Sequence, residues 1–107
     1  MAKGKLPEKV ISEVREYRKI LNADGLPIAG VYVFGSYAKG TPRKWSDIDV
    51  AVISPKFKNT WNAITYLRKK VPYGLGWSIE PLGFSPKDFS NKYSTLISEI
   101  KKYGVKV

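Results

Sequence analysis

Val31-Tyr32-Val33-Phe34-Gly35-Ser36-Tyr37-Ala38-Lys39-Gly40 is followed, after a short basic loop, by Ser46-Asp47-Ile48-Asp49-Val50-Ala51-Val52; the rest of this 107-residue chain is best understood outward from these two runs. The first is apolar and β-branched and stops at Gly35-Ser36. The second opens with two carboxylates two positions apart. Strand alternation turns Ile48, Val50 and Val52 to one face and Asp47, Asp49 and Ala51 to the other. At about 3.3 Å per residue the two aspartates stand about 6.6 Å apart along the strand, on the same side. Two such carboxylates repel, and one tends to hold a proton unless a cation compensates. A hard divalent cation does so: Mg²⁺, with Mn²⁺ as a substitute, favours carboxylate, water and phosphate oxygens. Two ions about 3.5–4 Å apart can clamp a phosphoryl centre.

Gly35-Ser36 supplies a complementary part. Glycine lets the backbone turn sharply or approach a ligand closely. The amides that open the following turn of helix can face a phosphate, and Ser36 adds a hydroxyl. Lys39, Arg43 and Lys44 lie in the loop between the runs, where they could hold a triphosphate tail.

The flanking sequence reads as scaffold. Residues 1–6 are expected to be a flexible leader. Pro7 to Asn22 forms an amphipathic helix, with Val10, Val14, Tyr17 and Leu21 at helical spacing and Asp24-Gly25 as its stop. Ile28–Phe34 and Asp47–Ile53 are strands. Thr60 is the expected N-cap of a helix whose core face is Trp61, Ile64, Leu67 and Val71. Its last turn, Arg68-Lys69-Lys70, reads as a solvated basic end. Trp77–Phe84 is a third strand, with Glu80 facing away from Trp77 and Ile79, and Pro81 places it at a sheet edge or bulge. Ser85-Pro86-Lys87-Asp88 has the form of a capped helix start. Leu96, Ile97, Ile100 and Tyr103 make the stripe of a last helix, and Val105–Val107 could add a strand. The expected fold is α/β: one domain over residues 1–107, a small mixed sheet with helices mainly on one face, and antiparallel first and second strands.

Composition narrows the chemistry. There is no cysteine or histidine. Disulfides, thiolate catalysis, Cys/His zinc sites and imidazole triads are therefore excluded. Acid–base or metal chemistry falls mainly to the nine carboxylates. The net charge of +10 suits polyanions, although a lysine-rich solvated surface accounts for much of it without a ligand. No apolar run approaches the ~20 residues of a membrane span, and the basic N-terminus has no signal-peptide core, so a cytoplasmic protein is the default.

Phe34-Gly35-Ser36-Tyr37-Ala38-Lys39-Gly40, a ten-residue gap from Ser36, and Asp47-Ile48-Asp49-Val50 resemble the signature of the DNA polymerase β-like nucleotidyltransferase superfamily. The longer string resembles its small stand-alone branch, the minimal nucleotidyltransferases. The resemblance implies a third carboxylate on a neighbouring strand, for which Glu80 is the match; many relatives have Asp there. Relatives also often carry Arg directly after Gly-Ser, where this chain has Tyr37.

What the resemblance implies is Mg²⁺-dependent transfer of a nucleoside monophosphate, AMP from ATP being the expected case, to an acceptor hydroxyl with release of pyrophosphate. Asp47 and Asp49 would bridge two metals. Glu80 would bind the catalytic metal and help deprotonate the acceptor. Gly35 and Ser36 would hold the β- and γ-phosphates, with Lys39, Arg43 and Lys44 as further phosphate ligands. The minimal branch is often paired with an all-helical HEPN-domain protein, in some cases as the antitoxin of a toxin–antitoxin system. Such a protein is the expected partner, as acceptor or as substrate-binding subunit. Two alternatives stand beside this: a catalytically idle module binding nucleic acid or protein, and transfer to a small molecule, for which a homo-oligomer would build the missing wall.

Overall fold

The computed structural model describes residues 6–42, 47–58, 60–72 and 78–107, without the side chains of Thr60 and Trp61. In chain order the elements are α1 (Glu8–Ala23), β1 (Gly30–Phe34), α2 (Ser36–Lys39), β2 (Ile48–Ile53), α3 (Thr60–Lys70), β3 (Ile79–Phe84), α4 (Pro86–Phe89), α5 (Thr95–Tyr103) and β4 (Val105–Lys106). The described strands form one mixed sheet in the order β3-β2-β1-β4. β1 pairs antiparallel with β2 and with β4, whereas β2 and β3 run parallel. The parallel pair follows from the crossover through α3, since a hairpin can join only antiparallel strands. The short tail does add a strand, and β3 lies at the edge, where Pro81 costs no ladder hydrogen bond on its outer side.

Strand alternation divides the core in two. Val31, Val33, Ile48, Val50, Val52 and Ile79 join Val10, Val14, Tyr17 and Leu21 of α1 and Ala63 and Leu67 of α3 in the larger cluster. The opposite face carries Phe34, Ala51, Ile53 and Phe84, covered by Ile97 and Ile100 of α5 and partly by Phe89 of α4. The helices thus lie mainly on one face, with a smaller cover on the other. Tyr17 crosses the larger core and donates from its hydroxyl to the Leu67 carbonyl at 2.6 Å, tying α1 to α3.

α1 ends as its sequence indicates. Gly25 adopts φ +84°, a left-handed conformation that favours glycine. Gly25 N–H donates to the Asn22 carbonyl at 3.0 Å and Leu26 N–H to the Leu21 carbonyl at 3.1 Å. This is the Schellman arrangement, with Leu26 buried behind it. α4 begins as expected too: Ser85 Oγ accepts from Asp88 N–H at 3.0 Å, with Pro86 in the first turn.

Two helix faces differ from expectation. In α3 the buried positions are Ala63 and Leu67, and Ile64 is only half-buried. A Cβ on Gly83 of β3 would lie 2.7 Å from Ala63 Cβ. Two small residues let α3 settle closely on β3, and this rotates Ala63 rather than Ile64 toward the sheet. In α5 the buried stripe is Ile97 and Ile100, whereas Leu96 is 39% exposed on its shoulder. The expected Thr60 cap and the placements of Trp61 and Trp77 lie outside the described residues.

Candidate active site

The site lies where β1 ends and β2 begins. Register places Phe34 of β1 opposite Asp49 of β2, and Asp49 beside Glu80 of β3. Asp49 is the one position of β2 that is not fully buried. Asp47 and Glu80 are exposed. The alternation read from the sequence therefore holds: Asp49 and Glu80 share the face of Ala51 and Leu82, away from the larger core.

Gly35 makes the turn above Asp49. Its φ of +74° and ψ of −150° belong to a region essentially reserved for glycine. A Cβ at this position would overlap Asp49 Oδ2. Glycine is thus required twice, by the backbone angle and by the carboxylate lodged against it. The turn aims Ser36 and α2 away from the strand, and Ala38 anchors α2 in the core.

Burial holds the Asp49 carboxyl above its usual range, and the negative charges of Asp47, Glu80 and Glu99 push it the same way. Four of the chain's nine acidic residues therefore share one place in a molecule of net charge +10. Most of the others have structural work. Glu13 Oε2 accepts from Ser78 N–H at 3.1 Å, Glu16 pairs with Lys19, and Asp24 is held by Tyr66 and Lys70. Glu8 and Asp88 occupy the first turns of their helices, where a negative charge suits the dipole.

The donor set fits a hard cation. Every candidate ligand is a carboxylate, and the absence of a Cβ at Gly35 makes room for the Asp49 carboxylate itself. Among the described residues no three such groups are drawn together as a ready-made cage. Glu80 Oε1 accepts from Arg68 at 3.4 Å.

The structure brings Gly35, Ser36, Asp49 and Glu80 together, with Asp47 at the mouth of β2. Lys39 is engaged elsewhere: its ammonium pairs with Glu99 and lies 5.4 Å from the Tyr103 ring centroid. Arg43 and Lys44 lie outside the described residues. Two participants escaped the sequence reading. Arg68, read as part of a solvated end, reaches Glu80. Glu99, a polar position between the buried Ile97 and Ile100 of α5, adds a further negative charge near Asp49. Neither carries a local signal, since both arrive through packing of helices distant in sequence.

A Gly-Ser turn over paired carboxylates, on a mixed sheet with a parallel third strand, defines the nucleotidyltransferase class of fold. The chain belongs to the nucleotidyltransferase domain family: the model of that family, described as "Nucleotidyltransferase domain", matches residues 14–107. No curated protein matches the chain. Among solved structures, a toxin–antitoxin crystallised with AMP-PNP is similar at 25% identity and a TM-score of 0.60, covering 86% of this chain and 69% of that one. A mutant of the toxin–antitoxin MntA–HpeT gives 22% identity, a TM-score of 0.58 and the same coverage. A proposed nucleotidyltransferase from Sulfolobus solfataricus gives 22% identity and a TM-score of 0.53, covering 96% of this chain and 88% of that one. These likenesses agree with the expected α/β fold. Among the described residues no helix is long and apolar enough to cross a membrane.

Proposed function

We propose that this domain transfers a nucleoside monophosphate, AMP from ATP, to a hydroxyl of a partner protein in a Mg²⁺-dependent reaction. The observation that carries the reading is the placement of Asp49 against Gly35, in register with Glu80 and sharing its field with Asp47. The AMP-PNP in one similar structure supports the nucleotide, and its toxin–antitoxin nature supports a protein partner. The other toxin–antitoxin neighbour is a variant in which two aspartates, two positions apart, are changed to glutamate. That spacing is the spacing of Asp47 and Asp49.

In this reading Asp47, Asp49 and Glu80 hold the metal, which supplies Lewis-acid stabilisation of charge on the phosphate oxygens. The amides after Gly35 and the Ser36 hydroxyl orient the β- and γ-phosphates, with Lys39, Arg43 and Lys44 as further contacts. The acceptor oxygen forms its bond to the α-phosphorus as the bond to the β-phosphate oxygen breaks, releasing pyrophosphate. Glu80 takes the acceptor proton. It is suited to this by its exposure, which admits an acceptor from solvent, and Arg68 steadies the carboxylate from α3. The expected partner is an all-helical HEPN-domain protein, whose surface would complete the acceptor side.

The test is incubation with each labelled NTP, Mg²⁺ and candidate partner protein. Label should pass to the partner from ATP, disappear with chelator and disappear in Asp49→Asn. Absence of transfer and of Mg²⁺-dependent ATP binding, with steeply salt-dependent binding to nucleic acid, would overturn this in favour of an idle binding module.

A further inference from the structure

A concavity lies at the other end of the sheet from the carboxylates. It has a volume of about 430 Å³ and is bordered by Asp24 and Leu26 after α1, Lys56, Phe57 and Lys58 after β2, and Tyr66 of α3. That volume falls in the ~300–1,000 Å³ range of small-ligand pockets. The chain from Asp49 along β2 to Ser54, just past its end, spans about 17 Å at ~3.4 Å per residue, so this pocket is remote from the carboxylate site.

Its parts form a consistent set. The Tyr66 hydroxyl donates to Asp24 Oδ2 at 2.5 Å, which fixes the ring. Phe57 is buried beside it, with centroids 6.3 Å apart and planes tilted by 59°. A fixed aromatic wall over an apolar floor accepts a flat ring at little entropic cost. Lys56 and Lys58 are both exposed at the rim. Among the described residues neither has an ion-pair partner, in contrast to Lys19, Lys39, Arg68 and Lys70. Asp24 is already neutralised by Lys70 at 3.1 Å, yet a carboxylate has about four acceptor sites, so it retains capacity for a ligand N–H or hydroxyl.

We propose that this pocket binds a small flat anion of the nucleoside monophosphate class: the ring against Tyr66 and Phe57, the anionic group at Lys56 and Lys58, and a polar hydrogen accepted by Asp24. The proposal does not depend on the catalytic reading, because none of these residues belongs to the carboxylate site. It is a binding site separate from that of the transferred nucleotide.

The experiment is a ¹H–¹⁵N correlation titration of the full chain with AMP in chelator, with ribose 5-phosphate and adenosine as part-ligands. AMP should move the amides of Asp24, Gly25, Leu26, Phe57, Lys58 and Tyr66 in a saturable way, leaving those of Gly35–Lys39 and Asp49 in place. Each part-ligand should bind at least tenfold more weakly. The double variant Lys56→Glu/Lys58→Glu should weaken AMP at least tenfold while keeping the dispersed spectrum of the folded chain; Lys56→Gln/Lys58→Gln gives the same readout with a milder change. Shifts confined to Gly35–Lys39 and Asp49, an unchanged affinity in both lysine variants, or no saturable shift at millimolar AMP would each overturn the proposal.

Discussion

Asp49 and Asp24 lie at opposite ends of the sheet and are treated in opposite ways. Burial and three neighbouring negative charges push the Asp49 carboxyl up. Hydrogen bonds from Tyr66 and Lys70 pull the Asp24 carboxyl down. Tyr66 in turn is pushed up to about 12, by burial first and then by its bond to Asp24. At one end the fold gathers like charges: Glu80 and Glu99 have exposed partners in Arg68 and Lys39, but among the described residues Asp49 itself has no ion-pair partner. At the other it supplies a donor for each acceptor. An acid whose charge is answered locally is part of the scaffold, while an acid surrounded by others is a place for a cation from solution.

The sharpest way to break this contrast is Asp49→Asn. Transfer should fall to the blank rate, measured with labelled ATP and the partner protein. Stability without metal should move the other way. A carboxyl whose folded pKa is raised gives stability that is complete below the unfolded value, about 3.9, and is lost as pH rises through the folded value. The wild type should therefore lose stability relative to Asp49→Asn as pH rises above about 4, in paired thermal melts. Added Mg²⁺ should narrow that gap by stabilising the wild type alone. If Asp49→Asn is less stable than wild type at neutral pH, Asp49 is a scaffold acid and the contrast fails.

Tyr17→Phe tests what holds α3, the helix that reaches both ends through Arg68 and Tyr66. Burial drives the Tyr17 hydroxyl pKa upward, and the proton is committed to the Leu67 carbonyl. Its loss should cost about 1 kcal/mol, because the carbonyl loses its buried donor. For a domain this size that corresponds to about 4–8 °C in Tm. An unchanged Tm would mean that apolar packing alone seats α3.

Glu99→Gln probes the crowded end at finer grain. Glu99 holds Lys39 and adds to the field on Asp49. Removing its charge frees a cation for the triphosphate and removes a repulsion from it. KM for the nucleotide should fall, by no more than about fivefold, since solvent screens an exposed ion pair and leaves it weak. kcat should change little. A rise in KM would show instead that Glu99 aims Lys39 at the phosphates.

The scaffold acids and the crowded acids were not equally legible. The Asp47–Asp49 spacing, the strand alternation and the stop at Gly35 are local, and the structure places these residues together as that reading expected. Glu80 needed one long-range fact, the parallel register of β2 and β3, which a helix between two strands implies. Glu99 and Arg68 needed two, a helix position and its rotation. Rotation is what periodicity fixes least well: Ala63 displaced Ile64 from the α3 face because Gly83, on a different element, allowed close approach. Asp24 was legible as a helix stop but not as half of an Asp24–Tyr66 bond, for the same reason.

Asp24→Asn carries the smallest expected effect and bears on the contrast from the other side. The folded pKa of Asp24 is depressed, so its stabilisation is present above the unfolded carboxylate value and is lost as pH falls through the lower folded one. Asparagine keeps an oxygen for the Tyr66 hydroxyl but no charge for Lys70. Because the group is exposed, solvent screens most of the interaction, and Tm at neutral pH should drop only slightly. The difference from wild type should begin to close as pH falls below about 4, and keep closing as pH falls through the lower folded value. Nucleotide transfer should stay at the wild-type rate throughout. A loss of transfer without a loss of Tm would tie the two ends of the sheet together, and would point to α3 as the link, since it carries both Tyr66 to Asp24 and Arg68 to Glu80.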